Sequence, residues 1–96
     1  MKALNARRVA WEGARVVVEA STAEAYWWVN DMIGRYLGVM YQLKLAETRL
    51  RLLEDDEFTV AETGAWRARL DDLLAERPDL TPVVADLTKE TSARLP

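Results

Sequence analysis

The sequence contains no cysteine and no histidine in its 96 residues. Their absence excludes a disulfide scaffold, a zinc site of the Cys/His kind, a Ser-His-Asp triad and a histidine acid–base pair. Acid–base chemistry would therefore depend on carboxylates, lysines and tyrosines. A chain without cysteine is also consistent with a reducing compartment, so we expect a cytoplasmic protein.

Glycine and proline are scarce, with four and three residues, and long apolar runs are absent. The longest uncharged stretch is Tyr36–Leu43, far shorter than the roughly 20 residues that a helix needs to cross a bilayer. The basic N-terminus is not followed by the continuous apolar core of a signal peptide. Alanine, leucine, arginine and glutamate are abundant and favour helices. We therefore expect a single helical domain over residues 1–96.

Two pairs of residues have the spacing of a helical capping box. Ser21 with Glu24, and Thr59 with Glu62, each place a hydroxyl three positions before a carboxylate. Each pair predicts the start of a helix. The acidic run at 54–57 repels itself, so we expect a loop or a frayed helix end there.

Glycine and proline mark the other helix boundaries. Thr81 followed by Pro82 is typical of a helix start, Gly38 favours a helix end, and Arg77 before Pro78 closes the preceding helix. Together these signals predict helices over residues 3–19, 22–37, 40–54, 60–76 and 82–94. The fold class is thus all-α, a compact bundle of four to five helices. Fusion of neighbouring segments at Ser21 or Gly38 into a long helical hairpin stays open.

Apolar residues recur at helical spacing in three of these segments and predict buried stripes. The Val16–Val18 run would also suit a strand, but a lone strand has no partner, so we predict a helix there as well. The predicted stripes are Leu43, Ala46, Leu50 and Leu53 in the third segment, Trp66, Leu70, Leu73 and Leu74 in the fourth, and Val83, Val84 and Leu87 in the fifth.

The second predicted helix carries large side chains at consecutive positions, which point in different directions around the helix. Such a helix is central in a bundle or contributes to an interface. We therefore hypothesise that the chain is a non-enzymatic interaction module that self-associates through the aromatic helix over residues 25–41, with Trp27 or Trp28 packed against a second chain. The alternative, that both indoles lie in an intramolecular core, stays open because aromatic residues are enriched in both settings. The candidate interface residues are Tyr26, Trp27, Trp28, Met32, Tyr36 and Met40.

No catalytic residue, metal ligand or cofactor site is predicted. The carboxylate pairs at helical spacing, such as Asp86 with Glu90, fall on charged faces that indicate solvated surface. The acidic run at 54–57 lacks the alternating ligands and central glycine of a calcium loop. An enzyme that uses carboxylates would require a deep pocket enclosing two of them.

Charge is distributed unevenly, with a balance of +3 in residues 1–51 and −6 in residues 52–96. The basic first helix offers a possible contact for an anionic partner through Arg7, Arg8, Trp11 and Arg15, which could grip phosphate or lie on an anionic membrane. The pI of about 4.9 opposes nucleic-acid binding, and the apolar face is short for a membrane surface. This contact is the alternative to a protein interface.

Three segments carry a resemblance to known proteins. They are the run Ala14–Ala20, the tryptophan-containing helix that closes at Leu37-Gly38, and the run Trp66–Leu74. In these segments the chain resembles small, all-helical accessory proteins of actinobacteria. The resemblance implies an adaptor or assembly role, with a homo-oligomer or a larger protein as partner.

Overall fold

The computed structural model describes residues 4–96, so the predicted helix start at residue 3 lies outside the described range. Within that range the chain is helical and contains no strand, which confirms the all-α bundle. The helices are α1 (Ala6–Ala20), α2 (Tyr26–Tyr36), α3 (Val39–Glu54), α4 (Thr59–Glu76) and α5 (Thr81–Ala93). Short 3-10 turns at Asp56–Phe58 and Pro78–Leu80 precede α4 and α5.

The breaks on either side of α2 have different causes. Gly38 has a φ of 105°, a conformation that glycine adopts at little cost, so α2 and α3 are separate helices. At the other end, Ser21 is buried and its hydroxyl donates to the Val18 carbonyl oxygen at 2.6 Å. Ser21 thus ends α1, and α2 begins only at Tyr26. The predicted capping box at Ser21 is therefore wrong.

Helix α1 is the centre of the bundle and packs against α4 and α5, while α2 packs mainly against α3. Small and β-branched residues allow this close packing: a Cβ atom on Gly13 would lie 3.2 Å from side-chain atoms of Leu70 and Thr88. Because neighbouring helices cover α1 on several sides, the consecutive residues Val16–Val18 are all buried. They form part of a helix, as predicted, and not a strand. None of the helices within residues 4–96 is both long and apolar enough to span a membrane.

The predicted stripe of α4 faces the core. Trp66 is fully buried, and Leu70 and Leu74 are almost so. Val84 and Leu87 of α5 complete the same core. For these two helices the periodicity of the sequence predicts the buried face.

Helix α3 contradicts the corresponding prediction. Its buried residues are Leu45, Thr48 and Leu52, whereas Leu43 and Leu50 of the predicted stripe are 56% and 68% exposed. The helix carries two series of residues with helical spacing, and the core uses the one that contains a threonine. Thr48 is buried because it bonds to side chains of α4, which an apolar residue could not do.

Glu62 also departs from its prediction. Instead of closing a capping box with Thr59, its carboxylate is buried and accepts a hydrogen bond from Thr48 at 2.6 Å. Its second oxygen accepts from Arg51 at 2.7 Å. The Thr59 hydroxyl donates to the Asp56 carbonyl oxygen. Glu62 therefore joins α3 to α4 through these hydrogen bonds and does not cap α4.

Candidate functional site

The outward face of α3 presents an apolar stripe to solvent. We call this row of residues the outer stripe: Val39, Leu43, Ala46, Leu50 and Leu53. Their spacing alternates between four and three residues, the heptad spacing of helices that pair along a seam. Ala46 is half-buried, and the other residues of the outer stripe are 56–68% exposed. The stripe runs over most of the length of α3.

A polar network on the opposite face holds α3 rigidly in place. The Trp66 indole nitrogen donates to the Thr48 hydroxyl oxygen at 2.9 Å, and that hydroxyl donates to Glu62. Burial alone would raise the pKa of Glu62, but the hydrogen bonds from Thr48 and Arg51 outweigh it, and the pKa lies below its ordinary value. Glu62 is thus a buried carboxylate, kept ionised, that fixes the helix carrying the stripe.

Helices α2 and α3 are joined as a hairpin by reciprocal amide contacts. The Asn30 side chain donates to the Gln42 carbonyl oxygen at 3.4 Å, and the Gln42 side chain donates to the Asn30 carbonyl oxygen at 3.1 Å. The Gln42 side chain passes over Gly34, where a Cβ atom would collide with it. These contacts fix the position of α2 beside the outer stripe.

Arg49 connects this hairpin to the end of α1. Its guanidinium donates to the Ser21 carbonyl oxygen at 3.0 Å, which satisfies a carbonyl at the negative end of α1. The same group lies 4.4 Å from the ring centre of Tyr26 and 5.7 Å from that of Trp27. Tyr26 is buried, but Trp27 is 70% exposed. Trp27 is therefore an exposed aromatic side chain of α2 beside Arg49 of α3.

The neighbouring tryptophan has a different environment. Trp28 is half-buried against the core, and the guanidinium of Arg94 from α5 lies 3.7 Å from its ring centre. It lines a groove between α2 and α5 together with Met32 and Leu87. Trp28 is thus packed against other residues of the chain, whereas most of the Trp27 side chain faces solvent.

The six residues predicted as an interface do not form one surface. Tyr26 belongs to the core, and Trp28 and Met32 are half-buried against it. Trp27, Tyr36 and Met40 are more than half exposed. Of the exposed residues, Met40 lies on α3 directly beside the outer stripe.

The predicted basic contact is partly assembled. Arg7, Arg8 and Trp11 line one depression, which Arg67 and Asp71 of α4 complete. Trp11 is 55% exposed. Arg15 does not line this depression but lies with Arg8 in the groove between α1 and α5. The sequence could not show that Arg67 joins the group, because it is 56 positions beyond Trp11.

Two of these arginines are paired within α1. Arg8 contacts Glu12 at 3.2 Å, and Arg15 contacts Glu19 at 4.0 Å. All four side chains are about half exposed or more, so the pairs are solvated and weak. They nevertheless reduce the positive charge that α1 presents.

Carboxylates elsewhere do not converge on a metal-binding cluster: within residues 4–96 no three of them are grouped closely enough to hold an ion. Asp86 and Glu90 border the groove beside Trp28, and both are exposed. The buried carboxylate of Glu62 is occupied by Thr48 and Arg51.

The sequence does not reveal the outer stripe as a solvent-exposed surface, because its spacing is also that of a core stripe. The available signal was the second series on the same helix, Leu45, Thr48 and Leu52, which competes for the core. No protein-family model, curated protein or solved structure matches the chain. The resemblance to helical accessory proteins of actinobacteria stays a prediction.

Proposed function

We propose that this chain is a non-enzymatic helical protein–protein interaction module that self-associates through the outer stripe of α3. Trp27 and Met40 extend the contact on either side of the stripe. The observation that carries the proposal is a row of large apolar side chains turned to solvent on a helix that is anchored on its other face. The aromatic segment predicted from sequence contributes the edges of this surface, and the leucines contribute its centre.

The extent of this surface supports a protein partner. Six large apolar side chains of this surface are more than half exposed, and exposed apolar patches beyond a few hundred Å² mark interaction sites in proteins. The six are between 56% and 70% exposed: Trp27, Val39, Met40, Leu43, Leu50 and Leu53.

The rigidity of the surface supports the same proposal. Most of the stability of a protein helix comes from tertiary packing, so a separate peptide with this seam would lose affinity through the cost of ordering the helix. Here Leu45, Leu52 and the Thr48 network have already fixed the helix within the folded domain. Association would therefore use the apolar surface without a folding cost.

Light scattering coupled to size-exclusion chromatography tests the proposal. We expect the wild-type chain at micromolar concentration to have the mass of two copies or more, and Leu50→Glu to have the mass of one with its helical circular dichroism unchanged. Trp11→Glu is the matched control, because it places the same charge at a half-exposed apolar residue on α1 and should leave the mass unchanged. A monomeric wild type, or equal masses for wild type and Leu50→Glu, would contradict the proposal.

A second candidate function is binding of an anionic membrane surface or nucleic acid at the basic depression. The observation that favours it is the addition of Arg67 to Arg7, Arg8 and Trp11. Titration with anionic vesicles and with an oligonucleotide at two ionic strengths tests it. Binding that weakens steeply with salt and is lost in Arg7→Glu would support this candidate. Binding that is absent at low salt would reject it.

The adaptor role, the bacterial origin and the cytoplasmic location are further parts of the proposal. The first two derive from the resemblance of the three helical segments. The location is supported by the absence of cysteine from the sequence. A larger protein could take the place of the second copy on the same surface.

A further inference from the structure

We propose that two copies of this chain meet with their α3 helices side by side and parallel, so that each leucine of the outer stripe faces its own counterpart. This inference rests on the proposed function and adds the arrangement of the partner. It places Leu43 against Leu43 and Leu50 against Leu50 of the second copy. The two-fold axis would then run along α3.

The heptad positions follow from the spacing of the stripe. Leu43 and Leu50 take the positions that precede a three-residue step, and Val39, Ala46 and Leu53 take those that follow it.

In a helix with 3.6 residues per turn, Glu47 and Glu54 then flank the seam on one side, and Gln42 and Arg49 flank it on the other. The two sides of the stripe therefore differ in charge.

Two of these flanking charges have no ionic partner within residues 4–96. Neither the Glu54 carboxylate nor the Arg49 guanidinium has an oppositely charged group within 4.0 Å in that part of the chain. Glu47, by contrast, is paired with Lys44 at 3.6 Å. The Arg49 guanidinium donates from one nitrogen to Ser21 and lies over the Tyr26 ring at 4.4 Å, and its remaining N–H groups are further donors. An unpaired anion and an unpaired cation thus lie five residues apart, on opposite sides of the seam.

Five residues is the separation that charges bridge between two parallel helices of a coiled coil. In a parallel pair, Arg49 of each copy faces Glu54 of the other, and Gln42 faces Glu47. Both contacts occur twice by symmetry. The parallel arrangement therefore pairs the two charges that are unpaired within the chain.

The antiparallel arrangements lack this complementarity. In one register, the residues that meet across the flanks are Met40 with Glu47 and Gln42 with Arg49, which pairs no opposite charges. In the register shifted by one heptad, Glu47 faces Glu47 and Arg49 faces Arg49. Like charges held together at an interface oppose association, so electrostatics favours the parallel pair.

Cross-linking tests the arrangement directly, because the natural sequence has no cysteine to interfere. We expect Leu43→Cys and Leu50→Cys, each oxidised alone at a concentration where the chain is associated, to form covalent dimers on a non-reducing gel. Ala75→Cys, at an exposed position of α4, is the control and should cross-link only slowly. Antiparallel helices would instead cross-link in a mixture of Val39→Cys and Leu50→Cys in the first register, or in a mixture of Leu43→Cys and Leu53→Cys in the shifted register. In the parallel pair the two positions of each mixture are roughly 15 Å or more apart along the axis, too far for a disulfide.

Charge reversal provides a second readout. We expect Glu54→Arg to raise the dissociation constant about tenfold at low salt, and Glu54→Gln to raise it less, with the differences shrinking in high salt. Glu76→Arg, at an exposed acid at the end of α4, should leave the constant unchanged. An unchanged constant for Glu54→Arg would overturn the proposed ion pair and with it the parallel arrangement.

The outcomes separate this inference from the proposed function. A monomeric wild type would remove both. A wild type that associates, but whose cysteine variants cross-link only in one of the two mixtures, or not at all, would overturn the parallel arrangement and leave self-association intact. Rapid cross-linking of Leu43→Cys and Leu50→Cys with slow cross-linking of the control would support the inference.

Discussion

The two faces of α3 are built from similar residues but lie in opposite surroundings. The inner face places Leu45 and Leu52 in the core and joins Thr48 to Trp66 and Glu62 by hydrogen bonds. The outer face has more large apolar residues and leaves them in solvent. A core position is therefore defined by what the neighbouring helix offers, and not by hydrophobicity alone.

The largest expected effect comes from truncating one leucine on each face. Leu45→Ala should lower the free energy of unfolding by about 2–5 kcal/mol, because it leaves a cavity in a fully packed site. Leu50→Ala makes the same chemical change on the same helix at a residue that is 68% exposed. In dilute, dissociated protein it should change the free energy by less than about 0.5 kcal/mol. Urea unfolding measures both values, and equal losses of stability in the two variants would contradict the difference between the two faces.

A smaller effect is expected from removing the hydroxyl that distinguishes the inner face. Thr48→Val keeps the shape of the side chain but leaves the Trp66 indole nitrogen without its acceptor and Glu62 without one donor. We expect a loss of about 1–3 kcal/mol in the free energy of unfolding, the typical cost of leaving buried polar groups unpaired. Thr63→Val is the control, because that hydroxyl bonds only to the Thr59 carbonyl oxygen within α4. Equal losses for the two variants would show that the network contributes nothing specific.

The smallest effect is a dependence of stability on pH through Glu62. Its pKa in the folded chain is lowered from an ordinary value of 4.5. A lowered pKa means that the folded state favours the ionised carboxylate, so this stabilisation is present above pH 4.5 and is lost as the pH falls through the folded value. The wild-type chain should therefore lose more stability on acidification than Glu62→Gln does. Urea unfolding at several pH values checks this, and identical slopes for the two proteins would contradict it.

The sequence predicted most helix boundaries because they are set locally, and the start of α2 at Tyr26 rather than at residue 22 is the exception. Gly38 has the positive φ that ends α2, and Pro78 and Pro82 lie just beyond α4 and at the start of α5. Trp66 was also predicted correctly, since it begins the only long apolar series on α4. Such features depend on a few neighbouring residues and their backbone preferences.

The contacts between helices could not be predicted in the same way. Glu62 has the spacing of a capping residue, but Thr48 and Arg51, more than ten positions earlier, decide its actual role. The outer stripe has the spacing of a core stripe, and only the position of α4 shows which face of α3 is covered. Likewise, Trp27 and Trp28 are distinguished by Arg94, near the far end of the chain.

The most direct test of the outer stripe as a contact surface is hydroxyl-radical footprinting of the wild-type chain across a dilution series. Self-association predicts that Leu43, Leu50 and Leu53 react slowly in concentrated solution and faster on dilution, while Val60, which is 83% exposed on α4, reacts at the same rate throughout. Reaction rates at the three leucines that stay high and independent of concentration would contradict the proposal that a second copy covers this face.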